Sequence, residues 1–576
     1  MVTVERAAEI IRTRGVVAYP TETAYALGVN ALDKGLVKEV YDLKKRPADK
    51  KMPIIVDSLA RLRGIAKVEP LGEYLSHHFH PGPLNIVVKS NLSWIGAFRI
   101  SSSDKAHKLA ELSEVPITAT SANPGGKPPA YTLKEVKKYF KVPIVPGELE
   151  DSPVSTIYNP KSRKIIRKGK IKEKVLKKYV VAFDVLQKIK PDEREVKKIK
   201  KKVRDALRLV KKIHKNSLIG GSIAKETFLK GDTEADIFLI FPKSKKLDDQ
   251  LGLLKEIARS LGETAEVSYA QHPYVKAEYG GMIIDLVPAY DTEPPEILSA
   301  ADRSRWHVEY VSTFPEWMKD EVRLLKQFCR GIGVYGADLK IEGLSAYAIE
   351  VLVLGAGGFV KALEKITEMV WPIKRGDPVD KKRNVLASVS HESFNTVKEA
   401  ARIYLKTPGN IFFFPNKPGM KLPTVENVAM FVMERPDLVE DAIWGIAKKK
   451  ARKLVRNARV NGYEVVRKSV LVDDKIYLVF KVGSLKKLET IIKGPTTDRK
   501  LHAARFMDAH SGFYEENDVL YAREKSRFPT FNDLVEAFEK VESLDDKEIR
   551  QRFKNSGAEW KTWLVKFMMN KRPWEY

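Results

Sequence analysis

The sequence has one cysteine, no long apolar run and fewer acidic than basic residues, and each shortage excludes a class of protein. Cys329 alone cannot form an internal disulfide or a cysteine-based metal cluster. No run of apolar residues is long enough to span a bilayer, and the N-terminal residues lack the apolar segment of a signal peptide. Tandem repeats and low-complexity segments are also lacking. We therefore expect a globular, cytoplasmic protein with no membrane partner.

The shortage of acidic residues indicates a polyanionic partner. The chain has 102 lysines and arginines against 75 aspartates and glutamates, which gives a net charge of +27. Lysine-rich surfaces also occur in heat-adapted proteins, but glutamate rises together with lysine there. The excess in this chain is one-sided, so we expect RNA as the partner.

The 576 residues are too many for a single core and predict several domains. From Lys170 to Asn216 the sequence is strongly basic, and Leu207, Val210 and Ile213 recur at helical spacing, which predicts a packed helix with a basic outer face. The expected fold class is multidomain, α/β followed by α+β. The expected parts are a twisted sheet with helices, a sheet-containing catalytic part, a mainly helical part and an α+β tail, at residues 1–180, 181–316, 317–425 and 426–576.

Three acidic residues in two apolar strands are the strongest indication of chemistry. In Leu218–Phe241, LIGGSIAKETFLKGDTEADIFLIF, Glu234 and Asp236 are two apart in a strand and so share one face. Asp285 lies in a second apolar strand, MIIDLVPAY. Shared carboxylates can hold two metal ions for nucleotidyl transfer, and an all-oxygen site favours Mg²⁺. We predict these three residues as catalytic metal ligands, with Asp285 helping to deprotonate the attacking hydroxyl; the alternative is a solvated acidic sheet face.

The Gly-Gly-Ser turn before the paired acids predicts a phosphate site. Ser222 and the backbone N–H groups of residues 220–222 stand at a helix start, where an anion is favoured. Lys225 adds a positive charge close by, without the two-pronged donor geometry of an arginine. The sequence therefore predicts a nucleoside triphosphate held beside the carboxylates.

Residues from about 180 to 576 resemble the archaeal-type (class I) CCA-adding tRNA nucleotidyltransferases. The resemblance rests, in order, on the GGS turn, the paired acids, HPYV at His272, IIDLVPAY, ADRSRWH, LLKQFCRGIGVYGADLKIEGLSAY, DPVDKKRNV and IFFFP. It implies that C, C and A are added to the 3′ end of tRNA from CTP and ATP without a template. Where the family usually has Arg-Gly-Thr, this chain has Lys225, Glu226 and Thr227.

The same resemblance implies roles for further residues. His307, Lys326 and Tyr335 would contact the triphosphate, and Arg402 would read the base. The tail would grip the acceptor stem of tRNA through its phosphates. The basic stretch AIWGIAKKKARKLVRNARV is the leading candidate for that contact, and its alternative is a solvated amphipathic helix face.

Residues 1 to about 175 resemble the threonylcarbamoyl-AMP synthase family, also called the YrdC or Sua5 domain. The resembling segments are YPTETAYALG, YDLKKRPADKKMPIIV, HPGPLNIVVK, ATSANPGG and STIYNP with IIRKG. The resemblance implies that threonine, bicarbonate and ATP give threonylcarbamoyl-adenylate and pyrophosphate. A downstream complex would then pass the threonylcarbamoyl group to a tRNA adenosine.

This second resemblance also assigns binding residues. The residues that would bind nucleotide phosphates are Lys44, Arg46, Ser121, Asn123 and Arg167. Thr23, Arg99 and Ser155 would hold threonine. The chain departs from the family pattern at Ala26, where glycine is usual, at Asp57, where histidine is common, and at Ser101, where proline is usual.

Two alternatives to this combined function stay open. The N-terminal part could be a non-catalytic module that only adds RNA-binding surface. The transferase part could instead be a poly(A)-type polymerase. A homodimer is one assembly that the sequence allows.

Overall fold

The protein is described here from a computed structural model. The described residues are 1–47, 49–149, 152–262, 265–269 (without the side chain of 269), 272–424, 426–487, 489–569 and 571–575. Residue 425, at one expected domain boundary, lies outside them. Short 3-10 helices occur at Leu59–Leu62, Asp248–Gln250, Ala301–Arg303, Asn410–Phe412 and Pro573–Glu575.

The N-terminal part consists of mixed sheets with helices packed on them. Its elements are α1 (Val4–Arg12), β1 (Val17–Pro20), β2 (Tyr25–Gly28), α2 (Lys34–Lys44), β3 (Met52–Ile55), β4 (Ala66–Lys67), α3 (Pro70–Phe79), β5 (Leu84–Val87), β6 (Lys89–Ser90), β7 (Ile95–Arg99), α4 (Asp104–Ser113), β8 (Ile117–Thr118), β9 (Thr120–Ser121), α5 (Leu133–Tyr139), β10 (Thr156–Asn159) and β11 (Lys164–Arg167). One sheet has the order β11-β10-β5-β7-β3-β8 and a smaller one β1-β2-β9, while β4 pairs with β6. The parallel pairs β3·β7 and β5·β10 make this an α/β arrangement.

The basic stretch after the first sheets forms two helices, α6 (Glu173–Ile189) and α7 (Glu193–Ile213). They are separated at Pro191, which has no N–H to donate and disfavours a helical residue before it. The Asp192 side chain then caps α7 by accepting a hydrogen bond from Glu195 N. The expectation of a packed helix with a basic outer face is met by α7, whose Ile199, Val203 and Val210 are buried. Of the other two residues that predicted it, Leu207 is half-buried and Ile213 is exposed.

The sheet that carries the predicted catalytic carboxylates, called the catalytic sheet below, follows directly. Its part of the chain contains β12 (Ser217–Ile219), α8 (Gly221–Ala224), β13 (Glu234–Phe241), α9 (Leu251–Leu261), β14 (Ala265–Tyr269), β15 (Pro273–Tyr279), β16 (Met282–Tyr290) and α10 (Ser304–Ser312). The sheet order is β12-β13-β16-β15-β14, with β13 and β16 parallel. Helices α7 and α9 cover the face that carries Ala235, Ile237 and Leu239. Because side chains alternate along a strand, residues 234 and 236 point to the opposite face.

The next part is helical in the described residues, with α11 (Glu316–Gly331), α12 (Ala346–Ala356), α13 (Phe359–Glu368) and α14 (His391–Lys406). Ser345 caps the start of α12 through Ala348 N, and Gly357, at φ 80°, ends it. No single helix of the described residues is long and apolar enough to cross a membrane. Helices α12 and α13 reach that length only as a pair bent by 97°.

The C-terminal part returns to mixed structure. It contains β17 (Val428–Met433), α15 (Glu440–Val460), β18 (Val465–Val472), β19 (Ile476–Val482), β20 (Glu489–Thr496), α16 (Lys500–Ala509), β21 (Phe513–Glu516), β22 (Val519–Lys525), α17 (Phe531–Phe538), β23 (Glu542–Leu544), α18 (Asp546–Asn555) and α19 (Ala558–Met569). Its sheets have the orders β18-β19-β17-β23 and β20-β22-β21. The fold class expected from the sequence, α/β and α+β in several parts, is confirmed.

One hydrophobic core joins the N-terminal sheets to the helical part. It runs from Leu75 in α3 through Leu186 in α6 to Phe328 in α11. In the seam, Nε2 of His78 lies 3.2 Å from Oε1 of Glu321, and both side chains are buried. The other oxygen of Glu321 accepts a hydrogen bond from the N–H of Phe359 at 2.8 Å. The two halves therefore pack as one body through α3, α6 and α11.

Candidate active site

The two aspartates of the expected metal site stand side by side on neighbouring parallel strands. In the β13·β16 register, Asp236 is the direct partner of Asp285. Glu234 is two residues before Asp236 on the same face and is exposed at the start of β13. The structure therefore brings Asp236 and Asp285 together and leaves Glu234 at the solvent edge of the same surface.

The Gly-Gly turn lies directly against β13. A Cβ on Gly221 would stand 1.7 Å from Oδ2 of Asp236, and φ of Gly221 is 60°, a region that favours glycine. A Cβ on Gly220 would stand 2.2 Å from the ring of Phe238. Both glycines are required because the turn approaches the strand closely. The half-buried Ser222 follows Gly221 at the start of α8.

Burial and mutual repulsion control the protonation of the two aspartates. Burial raises the pKa of Asp285 to about 6; the Lys276 ammonium group, 3.8 Å away, lowers it, and the Asp236 charge raises it further. Burial also raises the pKa of Asp236, against the positive charge of Lys225. Each aspartate is thus costly to ionise alone, and a cation between them would relieve that cost.

The donors present fit a divalent cation that is completed by other ligands. Oδ1 of Asp285 is buried without a hydrogen-bond partner among the described residues, and the available donors are carboxylate oxygens, which Mg²⁺ prefers. No three His, Cys, Asp or Glu side chains of the described residues are grouped closely enough to hold a metal ion. Nucleotide phosphates and water would therefore supply the remaining ligands, as is usual for Mg²⁺.

Two lysines beneath the turn share one buried carboxylate, Glu350 of α12. Its side chain lies 2.8 Å from Nζ of Lys225 and 3.4 Å from Nζ of Lys326, and it accepts a hydrogen bond from Oγ1 of Thr227 at 2.8 Å. Although burial alone would raise it, the two ammonium groups hold the pKa of Glu350 below its ordinary value. Burial lowers the pKa of Lys326 to about 8, although Glu350 opposes the shift. The predicted nucleotide residues Lys225 and Lys326 are therefore held together.

His307 belongs to a second buried network on the same side. Its ring stacks on Tyr347 with centroids 3.4 Å apart, and its Nε2 lies 3.3 Å from Oδ2 of Asp377. The hydroxyl of Tyr347 donates to Asp377 at 2.7 Å, and Arg383 contacts the same carboxylate at 3.1 Å. Burial lowers the pKa of His307 to about 4, although the hydrogen bond to Asp377 acts to raise it. The imidazole is therefore neutral at pH 7. Nζ of Lys225 lies 5.1 Å from the centre of the Tyr347 ring and links the two networks.

Tyr335 and Arg402 occupy other positions. The guanidinium of Arg330 lies over the Tyr335 ring at 4.9 Å and pairs with Asp232 at 2.9 Å, at the edge of the Lys326 cluster. Arg402 is exposed on α14 and shares none of the described contacts with this group. The structure thus places Tyr335 beside the cluster and leaves Arg402 outside it, and the roles of both stay predictions.

Glu226 stands where a glycine is usual in the resembling family. Its φ is 58°, the region that glycine adopts most easily, and its carboxylate contacts Lys200 and Lys319, the latter at 3.0 Å. Hydrogen bonds from these lysines lower the pKa of Glu226 to about 2. Because the charge of Glu226 is already paired, it does not repel a triphosphate in the way an unpaired acid would.

In the N-terminal part, Lys44 joins the two predicted nucleotide segments. Its ammonium group donates to the carbonyl oxygens of Ser121 and Asn123, the latter at 2.5 Å. Burial lowers its pKa to about 7. Arg46 is half-buried and donates to the carbonyl oxygens of Lys50 and Lys51 at 3.2 and 3.1 Å. Lys44 thus holds the Ser121–Asn123 loop, and phosphate contact by these four residues stays a prediction.

The residues expected to hold threonine form two neighbouring groups. Arg167 donates to both Oγ and the carbonyl oxygen of Ser155 at 2.8 Å, and Ser155 also accepts from the Asn85 amide at 2.7 Å. The buried Arg99 lies 3.5 Å from Oγ1 of Thr23, and the same distance from Oε1 of Glu22. Nε of Arg99 has no partner among the described atoms.

The departures from the family pattern have local explanations. Ser101 donates its hydroxyl proton to Glu22, so it completes the group around Arg99. Asp57 pairs with Arg61 at 2.7 Å, which, against the effect of burial, lowers the pKa of Asp57 and neutralises its charge. Ala26 is buried in β2 opposite Tyr19 and Ser121. None of these three residues is therefore an unpaired charge.

Three family models match successive parts of the chain. Residues 9–169 match the Sua5/YciO/YrdC family, described as telomere recombination. Residues 320–375 and 371–414 match the second domain of tRNA nucleotidyltransferase, and residues 426–556 match the C-terminal domain of CCA-adding enzyme. The order of the matches agrees with the two resemblances of the sequence.

The CCA-adding enzyme of Pyrococcus abyssi is 33% identical over 354 residues, which cover 55% of this chain and 78% of that enzyme. The chain belongs to the CCA-adding enzyme family. The CCA-adding enzyme of Sulfurisphaera tokodaii is 39% identical over 267 residues, 43% of this chain and 65% of that relative. The match to that family member thus spans slightly less than two thirds of its length.

A structure of P. abyssi Sua5 complexed with L-threonine is 36% identical over the matched part. It covers 31% of this chain and 57% of that chain, with a TM-score of 0.29. The family model over residues 9–169 shows that this member of the CCA-adding enzyme family carries an additional Sua5/YrdC domain at its N-terminus.

Several residues of the site were not predicted from the sequence. Lys276 faces Asp285 only because β15 pairs with β16 in that register. Glu350 and Asp377 are buried carboxylates, and their contacts include Lys225, 125 positions from Glu350, and Tyr347, 30 positions from Asp377. The sequence did contain one signal for Glu350: it is the single acid in the apolar segment AYAIEVLVLGA. An ionisable residue in such a helix needs a partner when it is buried.

Proposed function

We propose that residues 181–576 add C, C and A to the 3′ end of tRNA from CTP and ATP. The observation that carries this proposal is the Asp236–Asp285 register pair beneath the Gly221 turn. Membership in the CCA-adding enzyme family supports the same reaction. Mg²⁺ is the proposed cation because the donors are oxygens.

Each group of site residues has a separate role in the proposed reaction. The 3′ hydroxyl oxygen of the RNA attacks the α-phosphate, a new P–O bond forms, and pyrophosphate leaves. Asp285 would accept the hydroxyl proton, because its carboxylate lies beside Asp236, where the hydroxyl and the triphosphate would meet. Lys225 and Lys326, fixed by Glu350, neutralise triphosphate charge, while the turn at 220–222 and Ser222 orient it. The bound metal ions would stabilise the attacking and leaving oxygens.

The direct test is extension of a labelled tRNA transcript that lacks its three terminal nucleotides, with Mg²⁺, CTP and ATP. We expect three additions and then a stop, with no extension of a transcript that already ends in CCA. CTP alone should give two additions. A long tail of adenosines made from ATP alone would contradict the proposal and favour a poly(A)-type polymerase.

We further propose that the N-terminal domain makes threonylcarbamoyl-AMP from threonine, bicarbonate and ATP. The buried Arg99, with Thr23 at 3.5 Å, is suited to a small zwitterion, because its guanidinium would pair with the threonine carboxylate. Glu22 lies beside it and would accept hydrogen bonds from the amino group. Arg46, Ser121, Asn123 and Arg167 would bind the nucleotide phosphates, with Lys44 holding their loop.

Removing the Arg99 charge tests this pocket. In the full chain without RNA or CTP, we expect pyrophosphate release from ATP that requires both threonine and bicarbonate. Arg99→Met should raise the KM for threonine by roughly 10- to 100-fold, since a hydrogen bond to a charged group contributes about 1.5–3 kcal/mol. Arg6→Met, which removes an exposed charge paired with Glu9 on α1 of the same domain, is the matched control. If pyrophosphate release does not depend on threonine, the N-terminal domain is better interpreted as a non-catalytic RNA-binding module.

Three further expectations follow from the proposed reactions. A downstream complex would transfer the threonylcarbamoyl group to tRNA. The cytoplasm is the expected location, and a homodimer is one expected assembly. Size-exclusion chromatography with light scattering would measure the last of these.

A further inference from the structure

Helix α7 carries an exposed stripe of basic side chains along its full length. The stripe residues recur at intervals of three or four: Arg194, Lys197, Lys201, Arg204, Arg208 and Lys211. At 1.5 Å per residue the stripe is about 26 Å long, with neighbouring charges about 5–6 Å apart. The opposite face of α7 is apolar and buried against the catalytic sheet.

Few acidic groups neutralise this stripe. The acids of α7 are Glu193, Glu195 and Asp205. Lys197 lies 3.9 Å from Glu193, and Arg208 lies 3.1 Å from Asp205, both on the exposed surface, where such pairs are weak. In the part of the chain that the structure describes, no ion pair involves Lys201, Arg204 or Lys211.

Helix α15, which the sequence favoured for RNA contact, differs in this respect. Lys448 and Arg452 both contact Glu342 of the helical part. Lys450 and Lys453 both contact Glu539, which follows α17. These four charges hold α15 against its neighbours and leave Lys449, Arg456 and Arg459 exposed and in no ion pair among the described residues, fewer than the six basic residues of the α7 stripe.

The position of α7 separates it from the carboxylates. Together with α9, it covers the sheet face of Ala235 and Ile237, and Asp236 belongs to the other face. RNA bound along α7 is consequently a different segment from the 3′ end that meets Asp236 and Asp285. A membrane surface is a poor alternative partner, since the apolar face of α7 is buried and an interfacial helix needs that face free.

We propose that the basic stripe of α7 binds the phosphodiester backbone of RNA, at a site separate from the active site. The interaction is electrostatic and independent of base sequence, because lysine and arginine side chains bind the phosphate groups, which are the same at every nucleotide. The stripe holds RNA on the rear of the catalytic sheet. It does not require the transfer reaction, so a chain that lacks catalysis would still bind RNA there.

The test compares RNA binding by the full chain and by a variant with Lys201, Arg204, Arg208 and Lys211 all replaced by glutamine. The probes are a labelled tRNA and an unrelated RNA duplex, each titrated at several KCl concentrations. For the variant, the slope of log K against log salt should fall by about 3 to 4 for both RNAs, since each lost phosphate contact removes about one unit.

A matched control removes four exposed lysines of the N-terminal part, Lys34, Lys38, Lys137 and Lys138, in the same way. It should leave the slope within one unit of the parent. An α7 variant that binds RNA like the parent, or a control that loses as much as the α7 variant, would overturn the proposal. Loss of binding to vesicles of acidic lipid with RNA binding unchanged would also overturn it. Addition of CCA to a short acceptor hairpin should persist in the α7 variant, which separates this proposal from the catalytic one.

Discussion

Replacing Asp236 by asparagine is expected to lower the rate of CCA addition by about 10³-fold. Asp236 is the register partner of Asp285 and touches the Gly221 turn, so its charge lies where the triphosphate and its cation would meet. Charge stabilisation at such a site is worth several kcal/mol, and each 1.36 kcal/mol is about tenfold in rate. Single-turnover extension of the shortened tRNA by CTP measures the loss.

The asparagine is nearly the same size as aspartate, so the fold should persist and thermal unfolding should stay close to that of the parent. Glu278→Gln is the matched control: it removes a carboxylate from β15 of the same sheet, at an exposed position next to Ile283 in the register. It should keep the rate within a few-fold of the parent. A full rate in Asp236→Asn would show that the carboxylate pair is not the catalytic centre. Binding of RNA to α7 should be unaffected by either change.

The carboxylates could be predicted because their signal is local. Glu234 and Asp236 share a face through the two-residue period of a strand, and the strand itself is marked by its apolar neighbours. The turn could be predicted for the same reason, since two adjacent glycines indicate that the backbone comes close to another group. The sequence does not show which groups these are. In the structure Gly220 lies against Phe238, and Gly221 lies against Asp236.

The partners of several charges come from distant parts of the chain and could not be predicted from the sequence. The lysines of α15 look as free as those of α7, and only the positions of Glu342 and Glu539 distinguish the two helices. Lys44 has the pattern of a phosphate ligand, whereas its ammonium group bonds to carbonyl oxygens about eighty residues away. Periodicity reports which face a residue occupies, but not which charge lies opposite it.

The packing between the two halves could not be predicted from the sequence either, because it also depends on residues that are far apart in the chain. Each half has its own motifs, so the chain reads as two modules with a boundary near residue 180. In the structure, α6 crosses that boundary and its Leu186 packs in a core that contains both Leu75 and Phe328. The buried contact of His78 with Glu321 then ties α3 to α11, the helix that also carries Lys326.

Replacing Glu350 by glutamine is expected to destabilise the protein by about 3 to 5 kcal/mol, the usual cost of removing one partner from a buried ion pair. The side chain is fully buried and balances the charges of Lys225 and Lys326. Without it, two ammonium groups remain together away from water. Chemical denaturation followed by circular dichroism measures the change in the free energy of unfolding.

The pH dependence distinguishes this loss of charge balance from a simple packing defect. The pKa of Lys326 is already lowered to about 8 by burial, below that of an unfolded lysine, and should fall further in the variant. Because the unfolded chain then binds more protons than the folded one, the free energy of unfolding of Glu350→Gln should rise with pH between neutrality and about 10. The deficit relative to the parent should shrink as the pH rises towards about 8, because Lys326 loses its proton at a lower pH in the variant than in the parent, and it should stay level above that pH. Glu364→Gln, which removes a half-exposed partner of Lys178, should cost at most about 1 kcal/mol at every pH. A deficit in Glu350→Gln that is as small as this control, or that does not change with pH, would contradict the proposed charge balance.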